Sequence, residues 1–415
     1  MSNHRRLLVY FLSFFSTFGS VSLSGQNFGF QFARNKKSVT IPFEYANGFI
    51  IIKANLNDKK PVKLIFDTGA QHLLLFNKTE MDQLGLQYKR RYPLVGSDMN
   101  KPIFAHLSLG IRLNIGRKII DQYNNILVLE EDYFQLSEFI GLKIDGIIGA
   151  GIFKNLVFEI NYRKKYIRFH RPSHFKAPSK KYQTLELEVK RGKPYLQATV
   201  TMPNDTVIAT KLLLDTGAAL SLLLHTNAHK DLKTPKKFIK GKLALGLGGF
   251  LRGYQAKVTK IGFSDFQFND LVTNFQDYNT ELDTSFLNNR HGIIGNDLLS
   301  RFTAIFDYPN QKLYLKPRRN YQKPIAFDKS GLILIAAGNN LEEYVVNDVV
   351  PLSPASRAGL LPNDQIIKVG WIPARWYTLK GLTKKFQAKA GKKLNLTILR
   401  NGKKLKFSFK LRSLL

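Results

Sequence analysis

The sequence VKLIFDTGAQHLLL (residues 62–75) decides the fold, because TKLLLDTGAALSLLL (residues 210–224) repeats it. In both stretches an apolar run leads into Asp-Thr-Gly-Ala, and a second apolar run follows. The two aspartates, Asp67 and Asp215, are 148 residues apart.

A second pair of similar stretches follows at almost the same spacing. Residues 145–169 read DGIIGAGIFKNLVFEINYRKKYIRF, and residues 291–315 read HGIIGNDLLSRFTAIFDYPNQKLYL. Each contains Gly-Ile-Ile-Gly, then a short amphipathic stretch and two strands joined by a turn. The Gly-Ile-Ile-Gly copies lie 146 residues apart, so two landmarks give nearly equal offsets. This pattern indicates one duplicated structural unit.

Each unit is predicted to consist mainly of β-strands. Residues 38–56 and 184–200 alternate apolar and polar positions, which is typical of half-buried strands. In the first copy a short helix is predicted over residues 77–84, because Gly85 follows as a C-terminal stop.

Composition and chain breakers predict the domain organisation. Of 415 residues, 44% are hydrophobic and 22% are charged, which excludes a disordered or fibrous chain. Joins rich in proline and basic residues follow each copy, at residues 171–181 and 316–324. We therefore predict a signal peptide at 1–25, a first lobe at 26–172, a second lobe at 173–318 and a different unit at 325–415.

The N-terminus predicts export. Arg5 and Arg6 precede an apolar run at residues 7–18, and small residues follow as far as Gly25. This is the pattern of a secretory signal peptide, with an uncleaved anchor or a buried helix as the alternative. We expect a periplasmic, cell-surface or secreted protein, so nucleic acid is not expected as the partner of its net charge of +33.

The C-terminal unit is predicted to contain a strand at residues 331–336, a helix near residues 379–390 and a hairpin turn at Asn401-Gly402. Residues 365–415 contain 14 basic residues and no acidic ones. This excess indicates either a solvated face or a binding site for an anionic surface or glycan.

The duplicated Asp-Thr-Gly carries the chemistry. A carboxylate at a strand-to-turn junction is held rigidly when Thr and Gly follow it. One copy is a weak signal, since these residues are common in turns. A pseudo-two-fold axis would bring Asp67 and Asp215 together, and such neighbours share one proton. The charged member would take a proton from water while the protonated member polarises a carbonyl, which is general acid–base hydrolysis.

These stretches resemble the pepsin/retropepsin superfamily of aspartic proteases. The resemblance covers most of residues 38–316 and rests on both Asp-Thr-Gly-Ala copies and both Ile-Ile-Gly signatures. It implies a mainly β fold with two acid-protease-like β-barrel lobes, of the compact retropepsin type but fused in one chain. It also implies a catalytic dyad of Asp67 and Asp215, whose loops are supported by Thr68, Gly69, Thr216 and Gly217. The two threonines would hydrogen-bond across the lobe interface.

Two features depart from the superfamily pattern. Ala70 and Ala218 follow the glycines, where pepsins have a hydroxyl residue that hydrogen-bonds the carboxylate. Losing a bond to the charged form raises a carboxyl pKa, so we predict a pH optimum nearer neutral than that of pepsin. The flaps over the cleft are indicated only by Gly96, Gly248 and Gly249, which are equally compatible with ordinary turns.

The C-terminal unit resembles a PDZ domain, in the arrangement found on bacterial exported proteases. Residues 353–370, SPASRAGLLPNDQIIKVG, carry the resemblance. It implies a loop that binds a peptide C-terminus through backbone N–H groups, at Ser330, Gly331, Leu332 and Ile333. The peptide would add as a strand beside this loop. A purely docking or lobe-bracing role is the alternative.

We therefore predict an exported aspartic endopeptidase that hydrolyses extended polypeptides without a metal or organic cofactor. His225 and His229, four residues apart on a predicted helix, lack a third metal ligand. Two rival classes are a non-catalytic peptide-binding protein and a polyanion- or surface-binding protein built on the same lobes. A third possibility is that each lobe pairs with its counterpart in another chain.

Overall fold

A computed structural model describes residues 30–33, 36–95, 102–246, 249–277 and 289–415. It confirms the predicted fold class, since the chain is mainly β, with two barrel sheets and a separate small sheet at the C-terminus. The predicted signal peptide at residues 1–25 lies outside the described residues. Within the described part, no helix is both long and apolar enough to cross a bilayer.

The first copy of the repeat folds into a lobe of strands with two short helices. In chain order these are β1 (Gln31–Phe32), β2 (Ser38–Pro42), β3 (Glu44–Ala46), β4 (Phe49–Leu56), β5 (Lys60–Asp67), β6 (Leu73–Leu75), α1 (Lys78–Asp82), β7 (Tyr88–Val95), β8 (Pro102–Ile115), β9 (Ile119–Leu129), α2 (Leu136–Ile140), β10 (Gly146–Gly149), β11 (Val157–Asn161) and β12 (Tyr166–His170). Strands β4, β5, β10, β6, β9 and β8 pair in this order. Strand β8 also pairs with β4, the first strand of the series. The sheet therefore closes into a barrel.

The second copy repeats this arrangement. Its elements are β13 (Gln183–Glu186), β14 (Glu188–Lys190), β15 (Lys193–Thr201), β16 (Val207–Leu214), β17 (Leu222–His225), β18 (Ile239–Gly246), β19 (Gly249–Phe263), β20 (Phe266–Gln276), β21 (Gly292–Ile294), α3 (Asn296–Leu299), β22 (Phe302–Asp307) and β23 (Lys312–Pro317). Strands β15, β16, β21, β17, β20 and β19 pair in order, and β19 pairs back to β15. The two barrels use equivalent strands in the same order.

A six-stranded sheet joins the lobes. Its order is β13-β23-β22-β11-β12-β2, so each lobe contributes three strands. At its centre β11 and β22 pair antiparallel, with Glu159 opposite Ile305. Buried apolar residues from both barrels and from this sheet form one continuous core. The lobes are therefore held in a fixed relation, which is what a shared site between them requires.

Local sequence explains the predicted short helix. The side chain of Asn77 accepts the N–H of Glu80 at 3.1 Å and so caps the start of α1. The chain leaves this helix through Gly85, whose φ of +67° suits glycine. The helix at residues 78–82 is confirmed, although it is shorter than predicted.

The C-terminal domain is a separate sheet with its own core. Its elements are β24 (Leu332–Ala337), β25 (Glu343–Val349), α4 (Pro354–Arg357), β26 (Gln365–Val369), β27 (Ile372–Pro373), α5 (Leu379–Phe386), β28 (Lys393–Arg400) and β29 (Lys403–Lys410). The predicted hairpin at Asn401-Gly402 joins β28 to β29, and both turn residues have positive φ. Strand β24 lies at the edge of the sheet.

Candidate active site

Asp67 stands at the end of a buried strand. Strand β5 takes its apolar residues into the core, and β10 lies parallel beside it with Gly149 opposite Asp67. The N–H groups of Gly69 and Ala70 donate to Oδ1 of Asp67 at 2.6 and 3.1 Å. The turn after β5 therefore holds this carboxyl group in one orientation.

Asp215 occupies the equivalent place in the second lobe. It follows β16, and its N–H donates to the carbonyl oxygen of Ile294 in the parallel neighbour β21 at 2.9 Å. The N–H of Gly217 donates to Oδ1 of Asp215 at 2.8 Å. The repeated tripeptide thus forms a repeated loop.

Two threonines join these loops across the lobe interface. The N–H of Thr68 donates to Oγ1 of Thr216 at 3.0 Å, and the N–H of Thr216 donates to Oγ1 of Thr68 at 2.9 Å. Each hydroxyl in turn donates to a carbonyl of the opposite lobe, Thr68 to Leu214 at 2.6 Å and Thr216 to Phe66 at 2.8 Å. Both threonines are fully buried. Four reciprocal bonds therefore fix the spacing of the two loops.

The glycines explain how close the two carboxyl groups come. A Cβ added at Gly69 would lie 2.7 Å from Cγ of Asp215. A Cβ added at Gly217 would collide with the carboxyl group of Asp67. Each aspartate therefore lies against the glycine of the opposite loop, and the two carboxyl groups meet on the pseudo-two-fold axis. Any larger residue at either glycine would push them apart.

Burial and proximity set the electrostatics of the pair. Asp67 is only 7% exposed. Burial, the charge of Asp215 and a hydrogen bond with Asp215 raise the pKa of Asp67 well above its usual value. The N–H of Gly69 and the charge of Lys193 oppose this rise. Burial and the neighbouring charge therefore favour a pair that keeps one shared proton.

Asn296 adds a brace that the sequence analysis missed. Its Nδ2 donates to the carbonyl oxygens of Gly48 at 2.7 Å and Thr216 at 2.5 Å, and its Oδ1 accepts from the hydroxyl of Tyr162 at 2.6 Å. It is fully buried. The first copy has Ala150 at the corresponding position. The polar residue directly after Ile-Ile-Gly in the second copy was therefore the sequence signal that could have indicated this brace.

Two basic residues near the dyad were also missed. The pKa of Lys193 is lowered to about 8, first by burial and then by Arg290, while Asp67 and Asp215 act in the opposite direction. Arg290 in turn interacts electrostatically with Asp215. Aligning the two copies residue by residue would have revealed both cations. The first copy has apolar residues, Phe49 and Ile144, at the positions of Lys193 and Arg290.

Strands β7 and β8, and strands β18 and β19, pair as antiparallel hairpins on either side of the segments predicted to form the flaps. Gly96 and Gly248 lie outside the described residues. Gly249 is described, begins β19 and pairs with Gly246 of β18. Each lobe therefore carries a long hairpin in the equivalent place.

The histidine pair is not helical. His225 is the last residue of β17, and His229 lies in the turn region that follows, so the helix prediction is wrong here. The chain turns back after a short buried strand instead of continuing a periodic pattern. Among the described residues, no group of three His, Asp or Glu side chains is placed to hold a metal ion.

The predicted peptide-binding loop of the C-terminal domain is engaged internally. The N–H groups of Ser330 and Gly331 donate to the carboxylate of Asp328 at 3.0–3.1 Å. The N–H of Leu332 donates to Oγ of Ser330 at 3.0 Å. Ile333 follows in β24, opposite Asp348. An aspartate of the chain itself therefore takes N–H groups that were predicted to bind a peptide carboxylate.

The first lobe also contacts the edge of this domain. Helix α2 packs against the edge strand β24. A Cβ added at Gly141, the residue after α2, would lie 3.0 Å from Cβ of Leu379 in α5 and 3.8 Å from that of Ala336 in β24. Nearby, Nζ of Lys380 lies 5.0 Å from the ring centre of Tyr45. The C-terminal domain is thus docked on the first lobe along the side where a peptide strand would add.

Comparisons with known proteins agree with the recognised architecture. Residues 52–152 match the family model described as aspartyl protease, and residues 345–400 match the model described as PDZ domain. These matches confirm the resemblance for the first lobe and for the C-terminal unit. No curated protein matches the chain at a significant level.

Proposed function

We propose that the protein is an exported aspartic endopeptidase whose catalytic dyad is Asp67 and Asp215. The observation that carries the proposal is the meeting of two carboxyl groups, one from each lobe, on loops locked together by Thr68 and Thr216. The aspartyl protease match over residues 52–152 supports the protease assignment.

The dyad would work by general acid–base catalysis. Asp67, whose pKa is raised, holds the proton and donates a hydrogen bond to the carbonyl oxygen of the scissile peptide. Asp215 takes a proton from water, and the resulting hydroxide forms the new bond to the carbonyl carbon. Asp67 gives its proton to the carbonyl oxygen, which yields a neutral gem-diol. When this intermediate collapses, Asp215 gives its proton to the leaving nitrogen, the C–N bond breaks, and one hydroxyl of the diol returns a proton to Asp67, which restores the dyad.

The substrate would be an extended polypeptide. The dyad lies between two barrels that are related by a pseudo-two-fold axis, and each barrel carries one long hairpin, β7–β8 and β18–β19. An extended chain placed between these hairpins would present one peptide bond to both carboxyl groups. Its two halves would contact different lobes.

Single substitutions test the dyad. We expect Asp67→Asn and Asp215→Asn each to lower kcat/KM for peptide-library substrates by roughly a hundredfold to ten-thousandfold, the usual contribution of acid–base catalysis. Far-UV circular dichroism should be unchanged. Asp205→Asn, at an exposed turn of the second lobe, is the matched control and should retain activity. Full activity in either dyad variant would refute the assignment, and a wild-type protein that binds peptides without cutting them would favour the non-catalytic alternative.

Export is proposed from residues 1–25, whose basic start, apolar run and small-residue exit are typical of a signal peptide. N-terminal sequencing of the mature protein should find a chain without the apolar run. An intact N-terminus on protein isolated from its cells would argue against cleavage.

We also propose that the C-terminal domain contacts an anionic membrane surface. The only two tryptophans of the chain, Trp371 and Trp376, are 95% and 72% exposed on one short segment, together with exposed Lys368 and Arg375. Exposed tryptophans beside basic residues suit a lipid interface with negative headgroups. Tryptophan fluorescence should shift to shorter wavelength with phosphatidylglycerol vesicles and not with phosphatidylcholine vesicles. An unchanged spectrum at low salt would overturn this proposal.

A further inference from the structure

The two walls of the cleft differ at positions that the duplication makes equivalent. Gly48 and Gly192 occupy matching turns before β4 and β15, so Phe49 corresponds to Lys193. The Gly-Ile-Ile-Gly copies place Ile144 in correspondence with Arg290. Both first-lobe residues are apolar, and both second-lobe residues are cations.

In the first lobe these positions belong to an apolar cluster. Phe49 and Ile144 are 2% and 4% exposed, and they pack in a cluster that extends to Ala70 of the Asp67 loop. In the second lobe, the apolar residues that the structure describes near the dyad reach Ala218 of the Asp215 loop. The two cations are half-buried instead.

The backbone places Lys193 beside the dyad. The preceding turn, Arg191-Gly192, crosses to the first lobe, where the side chain of Gln71 donates to the carbonyl oxygen of Arg191. A Cβ added at Gly192 would lie 2.8 Å from Cα of Gly151, so this turn is pressed against the opposite lobe. Gln71 directly follows the Asp67-Thr68-Gly69-Ala70 loop, so Lys193 begins its strand at the cleft.

Arg290 is close enough to Lys193 for its charge to lower the pKa of that lysine. It lies two residues before β21, the strand next to the Asp215 loop. Its Nε is buried and has no hydrogen-bond partner among the described residues. A buried guanidinium nitrogen without a partner is costly, and a carboxylate ligand would satisfy it.

Among the residues that the structure describes, the charges near the dyad do not balance. When the dyad shares one proton it carries a single negative charge. Facing it are the positive charges of Lys193 and Arg290, with Arg191 close to Lys193. Among the described residues, no acidic group outside the dyad acts on these two cations. The described part of the second lobe's wall therefore carries an excess of positive charge.

We propose that Lys193 and Arg290 form a subsite for an acidic side chain of the substrate, opposite an apolar subsite bordered by Phe49 and Ile144. This inference rests on the proposed protease function and names its substrate class. Because the pseudo-two-fold axis passes through the dyad, the two subsites lie on opposite sides of the scissile bond. The preferred peptide therefore carries an apolar residue on one side and Asp or Glu at the symmetry-related position on the other.

The test compares matched peptides that differ by one charge. A library of cleaved peptides is resynthesised with Glu or Gln at each position flanking the scissile bond, and kcat/KM is measured for each pair. At one position the wild-type enzyme should prefer Glu about ten- to a hundredfold, the usual range for a charge-assisted hydrogen bond. Lys193→Met and Arg290→Gln should each remove most of this preference. The readout is the ratio of kcat/KM for the Glu peptide to that for the Gln peptide within each variant, so a general loss of activity cancels and cannot imitate loss of the subsite.

Controls separate charge from folding. Lys257→Gln removes an exposed charge from the same lobe and should keep the Glu preference. Lys193→Arg retains the charge and should keep it as well, which a merely structural role would not require. Equal rates for Glu and Gln at every position would overturn the subsite while leaving the protease intact. Failure of the wild-type protein to cleave any peptide would instead refute the proposed function.

Discussion

The two lobes agree in the loops that hold the dyad and differ in the walls beside it. The reciprocal bonds of Thr68 and Thr216 have almost equal lengths, 3.0 and 2.9 Å. Beside these loops, Phe49 and Ile144 of one lobe correspond to Lys193 and Arg290 of the other. Two matching loops are needed to bring two carboxyl groups close enough to share one proton. The walls contact different halves of a substrate that is itself asymmetric, so nothing requires them to match.

The strongest test of the symmetric part is the threonine pair. Thr68→Val and Thr216→Val each remove one donor and one acceptor from a fully buried network and leave an N–H of the opposite lobe without a partner. An unsatisfied buried group costs about 1–3 kcal/mol, so each variant should lose about 2–4 kcal/mol of stability and most of its activity. The two variants should lose the same free energy of unfolding, as measured by urea unfolding with far-UV circular dichroism. Tryptophan fluorescence is unsuitable, since both tryptophans lie in the C-terminal domain.

Serine variants provide the control. Thr68→Ser and Thr216→Ser retain the hydroxyl groups and should stay within about 1 kcal/mol of wild type. The double valine variant should lose less than the sum of the single losses, because both threonines belong to one network. A large loss in one valine variant and none in the other would show that the loops are not equivalent.

The symmetric part of the molecule was also the part that the sequence could predict. Two landmarks at nearly equal offsets indicated the duplication, and the mainly β fold class followed from it. The short helix at residues 78–82 has a local N-cap and is followed by a glycine with positive φ, so its position could be predicted from the sequence. The His225 prediction failed because a four-residue spacing says nothing when a strand ends between the two residues.

The asymmetric part was harder to predict. Asn296, Lys193 and Arg290 are single residues whose contacts come from the opposite lobe or from distant strands, so no local pattern marks them. Likewise, the sequence analysis did not predict that Asp328 would accept hydrogen bonds from the N–H groups of Ser330 and Gly331. Comparing the copies for their differences, rather than for their matches, would have found the two cations.

The subtlest expected effect of the asymmetry is on the pH profile. The charge of Lys193 lowers the pKa of Asp67, which burial and Asp215 raise. Activity requires the shared proton, so the alkaline limb of kcat/KM reports its loss. Lys193→Met removes the opposing charge, and the pKa of Asp67 should rise further. We therefore expect the alkaline limb to move to higher pH in this variant, measured with a neutral peptide so that the substrate does not titrate.

The direction of this shift distinguishes the cation from a structural lysine. The groups that act on Lys193 are Arg191, Arg290, Asp67 and Asp215, and its own pKa is about 8. Above that pH the wild-type lysine loses its charge, so the two profiles should converge there. Lys193→Arg keeps the charge and should keep the wild-type limb. A limb that stays in place, or moves to lower pH, in Lys193→Met would mean that the charge does not reach the dyad. The contrast between the two walls would then concern packing rather than electrostatics.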